Sequence, residues 1–372
     1  MAETGALVPE ISEIMAMDLD GLLKLDPYSL VQSDKERLLC RQLSNLCHHH
    51  REHCPEYKRI LDLAHPEFCE AKQLTDIPYL PVGLFKRQQL MSIPEQDVFQ
   101  VLTSSGTTGQ VPSRIFLDSQ TARRQTLALA SIMKTVLGRN RLPMVILDAK
   151  DILARRAQLS AQATAILGMM NFGRDHFFAF DEQMKLDEKG LTEYLAKYKS
   201  QPVFFYGLTY IVWRHFYHEI KDKNLDMSQG ILVHSGGWKR LIEEAVSPTV
   251  FKDSLREATG LDSVYNFYGM IEQVGSIFLE DSDGFFCPPL FADVIIRNPK
   301  TWQECEVGES GLVQVLSALP TSYPGHSILT EDIGVVHGID EPGKHAGKRF
   351  SISGRLPKSE LRGCSDVRAY SR

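Results

Sequence analysis

The sequence predicts an α/β fold in which helices cover a mostly parallel sheet, followed by a β-rich C-terminal subdomain. Two observations support this prediction. Between residues 98 and 285, short apolar runs that end in glycine or a polar residue alternate with helical stretches. After residue 285, strand-like segments follow one another without intervening helices. Alternation of strands and helices favours parallel pairing under a helical cover, whereas successive strands favour an all-β arrangement.

The first 95 residues are predicted to be helical. In Lys35–Leu43 the apolar positions recur at intervals of three and four, which is typical of an amphipathic helix. The helical pattern ends in Ile77–Gly83, where two prolines prevent a helix from continuing. We therefore predict three parts: a helical N-terminal region (residues 1–95), an α/β core (96–285) and a β-rich subdomain with a C-terminal cysteine segment (286–372).

The remaining elements follow from the same patterns. Core strands are predicted at Met144–Leu147, Val203–Tyr206, Ile231–Val233 and Val264–Phe267. Core helices are predicted at Thr121–Leu137, Leu191–Lys199 and Leu208–Asp222. Strands of the last part are predicted at Ala292–Arg297, Gly311–Ser317, Ser327–Val336 and Arg349–Ser353. Ligands of such parallel sheets bind beyond the carboxyl ends of the strands.

Composition excludes several classes of function. Of 372 residues, 43% are hydrophobic and 24% are charged, and no apolar run is long enough to predict a membrane span. The net charge of −6 is spread over both signs, so nucleic acid is not an expected partner. The N-terminus lacks the features of a signal peptide, and we expect a cytoplasmic protein. The seven cysteines include no Cys-x-x-Cys pair and are expected to be reduced.

A glycine- and hydroxyl-rich run is the strongest local signal in the sequence. It consists of Thr103, Ser104, Ser105, Gly106, Thr107, Thr108 and Gly109. The glycines allow backbone N–H groups to converge, and the hydroxyls add donors for phosphate oxygens. The run is not a Walker A loop, because no Gly-Lys-Ser/Thr follows and its flanks, Val98–Leu102 and Ile115–Leu117, are both strand-like. On composition alone, a polar hairpin turn is an equally good interpretation.

This run resembles the phosphate-binding loop of adenylate-forming enzymes, Ser-Gly-Thr-Thr-Gly followed by Pro-Lys. Pro112 is present, but Ser113 and Arg114 replace the lysine, so Arg114 is the candidate for the positive charge. The resemblance implies ATP and Mg²⁺ as cofactors. It also implies the large-domain fold of that superfamily.

Further segments resemble motifs of the same superfamily and follow the loop in the same order. Ser235, Gly236 and Gly237 resemble the turn on the adenine side, although an ordinary strand-to-helix turn would look similar. In Tyr268-Gly269-Met270-Ile271-Glu272, the resemblance assigns the aromatic ring to the nucleotide and Glu272 to Mg²⁺. Ile271 stands where threonine is usual.

The last two motifs concern the ribose side of the nucleotide. Thr330-Glu331-Asp332 resembles Thr-Gly-Asp, whose aspartate accepts hydrogen bonds from both ribose hydroxyls, although a solvated acidic turn is the alternative. Ser353-Gly354-Arg355 resembles the Gly-Arg that follows, whose arginine contacts the nucleotide.

One family resembles the chain nearly from end to end: the acyl-protein synthetase of the bacterial luciferase fatty-acid reductase complex. The matching segments are Ile77–Pro81, Leu84–Lys86, the hydroxyl-rich loop, Gly236–Lys239, Pro288–Pro289, Thr321–Pro324 and Arg362–Cys364. The resemblance implies that a fatty acid is adenylated, transferred to Cys364 and passed to an acyl reductase subunit. The nearby charges of Arg355, Lys358 and Arg362 would favour the thiolate of Cys364.

Two departures from the superfamily qualify this assignment. The chain ends shortly after Cys364, which leaves no room for the usual C-terminal lid and its catalytic lysine. By charge alone, Lys239, Lys358 and Arg114 are candidates to replace that lysine. Tyr268-Gly269 and Gly354-Arg355 look more like general acyl-activating enzymes, so the acid need not be a long fatty acid. The alternatives are an acyl- or aryl-CoA ligase and a nucleotide-binding regulatory protein without turnover.

Two further clusters are not assigned to the site. Cys47, His48, His49, His50, His53 and Cys54 resemble a metal cluster in composition, but no second pair of ligands follows, and we predict a surface helix. Trp213, Phe216 and Tyr217 fall at helical spacing and predict a core face, which could equally line an acyl pocket. No Gly-x-Ser-x-Gly motif of an α/β-hydrolase is present.

Overall fold

The computed structural model describes residues 10–104, 111–153, 161–238 and 244–356. Helices dominate its first part: α1 (Ile11–Ala16), α2 (Leu19–Leu22), α3 (Gln32–His53), α4 (Pro55–Ala64) and α5 (Leu84–Arg87). A two-residue strand, β1 (Leu80–Pro81), lies before α5. The long helix α3 ends at His53 because Pro55 begins the next helix at its first position, where the missing N–H costs nothing.

The hydroxyl-rich loop joins the two strands of a separate hairpin. Strands β2 (Gln100–Thr103) and β3 (Arg114–Leu117) pair antiparallel, with Thr103 opposite Arg114. Helix α6 (Ser119–Leu137) follows at once, because the Asp118 side chain accepts a hydrogen bond from the Thr121 N–H and caps it. The predicted strand–loop–strand context is therefore confirmed.

The core of the sheet is parallel. Its elements are β4 (Leu142–Ala149), α7 (Ala161–Met170), β5 (Gly173–Phe180), α8 (Glu188–Lys197), β6 (Val203–Leu208), α9 (Thr209–Ile211), a π-helical segment (Val212–Tyr217), α10 (His218–Ile220), β7 (Gly230–Ser235), α11 (Pro248–Thr259) and β8 (Ser263–Tyr268). The strands lie in the order β5-β4-β6-β7-β8, and every neighbouring pair is parallel. This confirms the predicted mostly parallel sheet.

The remaining strands extend the same sheet. They are β9 (Phe278–Glu280), β10 (Phe286–Cys287), β11 (Ala292–Arg297), β12 (Ser310–Ser317), β13 (Ser327–Ile339) and β14 (Lys348–Arg355). The order continues from β8 through β9, β10, β14, β13 and β12 to β11, with antiparallel pairing throughout, and β1 adds to β13 in parallel. The sheet thus changes from parallel to antiparallel at the edge between β8 and β9.

Helices cover both faces of the parallel part. Along β4, Met144 and Ile146 belong to one hydrophobic cluster, whereas Val145 and Leu147 belong to the other. Alternate residues of a strand point to opposite faces, so the two clusters lie on opposite sides of the sheet. The fold class predicted from the sequence is confirmed. None of the described helices is both long and apolar enough to cross a membrane.

The histidine-rich segment ends α3 and exposes one face, as predicted for a surface helix, but its other face is buried. Cys47, His50 and Cys54 are fully buried in the structure, while His48 and His53 are exposed. The buried face is polar by composition, yet its groups are hydrogen-bonded. His50 donates from Nε2 to the Pro320 carbonyl oxygen at 3.0 Å, and the distance from Cys47 Sγ to His326 Nε2 is 3.2 Å. Partners distant in sequence therefore compensate the burial.

Candidate functional site

Three predicted residues meet at the carboxyl end of β8. Tyr268 is the last residue of that strand, Asp332 lies on β13, and Arg355 stands opposite Asp332 in the register of β14. The Tyr268 hydroxyl donates a hydrogen bond to Asp332 Oδ2 at 2.7 Å, and Arg355 Nε donates to Asp332 Oδ1 at 2.8 Å. The strand pairing thus assembles residues that belong to separate motifs.

Tyr268 is neutral and Arg355 is positively charged near pH 7. Burial, together with the Asp332 carboxylate, holds the pKa of Tyr268 well above its usual value. Burial alone would lower the pKa of Arg355, but the Asp332 carboxylate raises it above its ordinary value. Each Asp332 oxygen accepts one of these bonds and keeps a second lone pair. Asp332 can therefore accept two further hydroxyl donors, as a ribose would present.

Glu272 lies at the base of the hydroxyl-rich loop. It belongs to a 3₁₀ turn (Ile271–Gln273) directly after β8, is buried, and accepts a hydrogen bond from the Ser113 hydroxyl at 2.6 Å. The Ser113 N–H donates to Ser104 Oγ at 2.8 Å, and the Ser104 N–H donates to the Ser113 carbonyl oxygen at 3.1 Å. These bonds close the loop beside the carboxylate. Residues Ser105–Gly109 lie outside the described part of the chain.

This donor set fits Mg²⁺. Within the described ranges, no group of three or more histidine, cysteine or acidic side chains is arranged to hold a metal. Magnesium does not need one, because it binds through one or two carboxylates and completes its shell with phosphate oxygens and water. A single buried carboxylate next to the predicted phosphate loop matches that preference.

The Gly-Gly turn at the end of β7 is open. Gly236 has a φ of +80°, a left-handed conformation that favours glycine. A Cβ atom placed on Gly237 would meet no described heavy atom within 4 Å. Ser235 anchors the turn, because its carbonyl oxygen accepts from Thr209 Oγ1 at 3.1 Å. A planar group can therefore approach the backbone here.

A cavity of about 70 Å³ lies next to this turn. Among the residues that line it are His234, Trp238, Phe251 and Asn266. The side-chain oxygen of Asn266 is buried without a hydrogen-bond partner among the described residues. Burial lowers the pKa of His234 to about 3, so the imidazole is neutral near pH 7. The cavity therefore offers an unused acceptor and a flat apolar wall, which suits an exocyclic amino group on a heteroaromatic ring.

An ion pair closes one side of the cavity. Lys252 Nζ lies 2.8 Å from Glu280 Oε2, and the same carboxylate oxygen accepts from the Asn266 N–H at 2.9 Å. These contacts fix the backbone position of Asn266. Sequence patterns gave no indication of Asn266, because an unpaired acceptor becomes visible only in three dimensions.

The aromatic residues that the sequence left undecided pack behind the cavity. Phe216 is fully buried, and the ring of Trp213 lies 5.7 Å from that of Phe251 and 6.0 Å from that of Trp238. They lie in the π-helical segment, a form that often marks functional sites. Trp213 and Phe216 therefore belong to the core that supports the Gly-Gly turn.

The remaining predicted residues divide into two groups. Arg114 lies at the start of β3 with its guanidinium 5.1 Å from the centre of the Phe116 ring, and Gly269 follows Tyr268 with Ile277 packed against it. Lys239, Lys358 and Cys364 lie outside the described residues.

Comparison with known proteins shows the family to which this chain belongs. The family model "Acyl-protein synthetase, LuxE" matches residues 7–370. The long-chain-fatty-acid–luciferin-component ligase of Aliivibrio fischeri is 25% identical over 305 residues, which cover 78% of each chain. The Vibrio harveyi protein of the same name is 20% identical over 401 aligned positions, covering 94% of this chain and 92% of its own.

Solved structures show the same fold. An open conformation of 2-hydroxyisobutyryl-CoA ligase, in complex with 2-HIB-AMP and CoA, aligns with a TM-score of 0.70 and 19% identity. The alignment covers 96% of this chain and 81% of that one. The same ligase in the thioesterification state gives a TM-score of 0.69 with 20% identity, over 88% of this chain and 70% of that one. The large-domain fold of adenylate-forming enzymes, expected from the sequence motifs, is confirmed.

Proposed function

This chain belongs to the acyl-protein synthetase family and is a ligase, and we propose that it joins a fatty acid to its own Cys364 at the expense of ATP. In the first step the acid would attack the α-phosphate of ATP to give acyl-adenylate and pyrophosphate. In the second step the Cys364 thiolate would attack the acyl carbonyl, forming a thioester and releasing AMP. An acyl reductase partner would then take the acyl group.

The observation that best supports the first step is the environment of Asp332. Its carboxylate is oriented by Tyr268 and Arg355 and retains two free lone pairs, which suits a ribose diol. The unpaired Asn266 acceptor lies on β8, the strand that ends in Tyr268. The open Gly-Gly turn lies at the end of β7, which pairs with β8. Together these groups would provide contacts for both the sugar and the base of ATP.

The second support is the position of Glu272 beside the closed loop base. Glu272 would hold Mg²⁺, which when bound would neutralise charge on the phosphates. The Ser113 hydroxyl orients the carboxylate, and backbone and hydroxyl donors of the loop would bind the phosphate oxygens. Arg114 at the start of β3 supplies positive charge next to the loop.

The course of β14 supports the transfer to Cys364. This strand ends at Arg355, whose side chain contacts Asp332, and the Leu356 N–H donates to the Glu331 carbonyl oxygen at 2.9 Å. Cys364 follows Arg355 by nine positions. Covalent geometry alone therefore keeps the two Cα atoms within about 30 Å of each other.

A second candidate is an acyl-CoA ligase in which Cys364 is incidental. The fold similarity to a ligase solved with CoA favours this alternative. The two functions share the first step and differ in the acceptor of the acyl group.

Intact-protein mass spectrometry distinguishes these functions. The protein would be incubated with ATP, Mg²⁺ and a panel of carboxylic acids of increasing chain length, with and without coenzyme A. We expect a mass increment equal to the acyl group without coenzyme A, mapped to Cys364 and released by hydroxylamine. Acyl-CoA formation without any protein adduct would instead identify a CoA ligase. ATP binding without acid-dependent pyrophosphate release would identify a regulatory protein.

A further inference from the structure

The loop between β12 and β13 contacts the N-terminal helical region. We call residues Pro320–His326 the β12–β13 loop. His50 donates from Nε2 to the Pro320 carbonyl oxygen at 3.0 Å, and His49 donates from Nε2 to the Thr321 carbonyl oxygen at 2.9 Å. Both donors lie on the last turns of α3. The loop is thus attached to the helix by two backbone carbonyl groups.

The same loop is bound to the hairpin that holds the hydroxyl-rich run. The Ser322 hydroxyl donates to the Phe116 carbonyl oxygen of β3 at 2.8 Å. Thr321 Oγ1 lies 2.7 Å from Thr121 Oγ1 in the first turn of α6, which follows β3 directly. Two side-chain hydrogen bonds therefore fix the position of β3, the strand that follows the hydroxyl-rich run.

The third set of contacts reaches the turn that contains Glu272. Gln273 donates from Nε2 to the Gly325 carbonyl oxygen at 2.9 Å. A Cβ atom on Gly325 would lie 2.8 Å from the Glu272 carbonyl oxygen, so the two backbones are in direct contact. The β12–β13 loop therefore lies between the hairpin and the turn, and it touches both.

His50 is the residue that ties this arrangement to the helix. It is fully buried and uses both ring nitrogens. Since the Pro320 carbonyl can only accept, Nε2 has the proton, and Nδ1 accepts from the Ser92 hydroxyl at 2.8 Å. The Ser92 N–H in turn donates to the Ser322 carbonyl oxygen at 2.8 Å. His50 thus positions the loop both directly and through Ser92.

We propose that His50 is a positioning residue for the phosphate site. Through the β12–β13 loop it sets the position of β3 relative to Glu272, the proposed ligand of Mg²⁺. This inference rests on the proposed function, because it assumes that ATP phosphates bind between the hairpin and Glu272. It predicts a selective effect on ATP, since the loop bonds reach the hairpin and the Glu272 turn.

The test compares substitutions of His50 in the full-length protein with Mg²⁺. His50→Leu removes both hydrogen bonds, whereas His50→Gln keeps an amide N–H near the Nε2 position. We measure acid-dependent ATP–pyrophosphate exchange and determine the KM for ATP and for the acid separately. His50→Leu should raise the KM for ATP about tenfold and leave that for the acid within about twofold, because a small displacement of positioning groups has large effects. His50→Gln should restore most of the affinity.

Two controls separate positioning from general destabilisation. His48→Leu changes an exposed histidine of the same helix. The ring of His48 is hydrogen-bonded through Nε2 to the Cys69 carbonyl oxygen rather than to the β12–β13 loop. Leu191→Ala creates a void in the other hydrophobic cluster and lowers stability without touching the loop. At assay temperatures below the unfolding temperature of each variant, neither substitution should change the KM for ATP. An unchanged KM in His50→Leu, or an equal rise in Leu191→Ala, would overturn the inference.

Two further measurements test the inference if His50→Leu does not fold or if the proposed function fails. If His50→Leu does not fold, Ser322→Ala removes the bond to Phe116 and should raise the KM for ATP several-fold; an unchanged KM would refute the inference. If none of the acids supports pyrophosphate exchange by the wild-type protein, the proposed function fails. ATP binding is then measured by equilibrium dialysis. About tenfold weaker ATP binding in His50→Leu supports the positioning role even then. Equal ATP binding by the wild type and His50→Leu refutes it, and so does the absence of ATP binding in the wild type.

Discussion

Tyr268 and Asp332 are 64 positions apart, yet the Tyr268 hydroxyl donates a 2.7 Å hydrogen bond to Asp332 Oδ2. The bond spans the region where the sheet changes from parallel to antiparallel strands. Arg355 holds the other carboxylate oxygen from β14. The orientation of Asp332 is therefore fixed before any ligand arrives.

The first prediction concerns the charge of Asp332. Asp332→Asn keeps the shape of the side chain but removes the charge that Arg355 and a ribose diol would share. Hydrogen bonds to charged groups contribute roughly 1.5–3 kcal/mol, so the KM for ATP should rise about 10- to 100-fold. Pyrophosphate exchange at varied ATP measures this. Tyr268→Phe keeps the carboxylate and should have a smaller effect; a larger effect of Tyr268→Phe would contradict the assignment.

The second prediction concerns Glu272 and Mg²⁺. Glu272→Gln keeps an oxygen that can accept from the Ser113 hydroxyl but loses the negative charge needed by a hard cation. The Mg²⁺ concentration at half-maximal exchange should increase at least about tenfold, since each 1.4 kcal/mol of lost binding is tenfold in affinity. Ser113→Ala is the matched control, because it removes the hydrogen bond and leaves the charge. An unchanged Mg²⁺ titration in Glu272→Gln would exclude Glu272 as the ligand.

The third prediction separates the two half-reactions. In Cys364→Ser, acid-dependent ATP–pyrophosphate exchange should persist, since adenylation does not need the thiol, while covalent acyl labelling should disappear. Labelling with a radioactive or alkyne-tagged acid measures the second step. Cys69→Ser removes an exposed cysteine and should keep both activities. A thioester that remains in Cys364→Ser, on any other cysteine, would refute the proposed acceptor.

The fourth prediction concerns the choice of base. Asn266→Leu replaces the unpaired acceptor of the cavity with an apolar group of similar size. The KM for ATP should rise about tenfold, whereas that for GTP, which lacks the amino group at this edge, should change little. Competition of the two nucleotides in the exchange assay measures the ratio. Phe251→Leu alters the same cavity without polar change and should affect both nucleotides alike; a selective loss of ATP in that variant would argue against Asn266.

The fifth prediction concerns acid stability. Burial, with His49 nearby, lowers the pKa of His326 to about 3, below its value of about 6.5 in the unfolded chain. Between these values the unfolded state binds the proton and the folded state does not, so stability must fall as pH decreases through this window. His326→Leu should reduce the slope by up to about 1.4 kcal/mol per pH unit.

Urea unfolding between roughly pH 7 and pH 4 measures this slope. The exposed His48 provides the control, because His48→Leu should leave the pH dependence as it is in the wild type. Equal slopes in the wild type and His326→Leu would contradict this prediction, because they would mean that the pKa of His326 is the same in the folded and unfolded states.

The parallel core could be predicted because its strands are continuous apolar runs. All residues of β6 are buried, as are five of the six residues in β7. Strand β5 was not predicted, because its first half contains the polar residues Arg174–His176, of which the first two are exposed. The continuity of the sheet through β9 and β10 was also not predicted. These strands contain three and two residues, and such short segments acquire their pairing from tertiary contacts rather than from pattern.

Site residues were predictable where they belong to motifs with a local signature. Asp332 and Arg355 were singled out by their short motifs, and strand register then placed them together. His50 and Asn266 could not be found in this way. The importance of His50 depends on the Pro320 carbonyl, which is 270 positions away, and that of Asn266 on the absence of a partner among the described residues.

The end of β14 beside Asp332 has a consequence for the kinetic order of the proposed transfer. The acceptor thiol is part of the same chain, so acylation should be unimolecular and its rate per molecule should not fall on dilution. A chain that adenylates but lacks the thiol should not be able to acylate the cysteine of a second chain in which adenylation is impaired. Mixing Cys364→Ser with Asp332→Asn should therefore give little more adduct than the second variant alone, because each active site acylates only its own cysteine in cis.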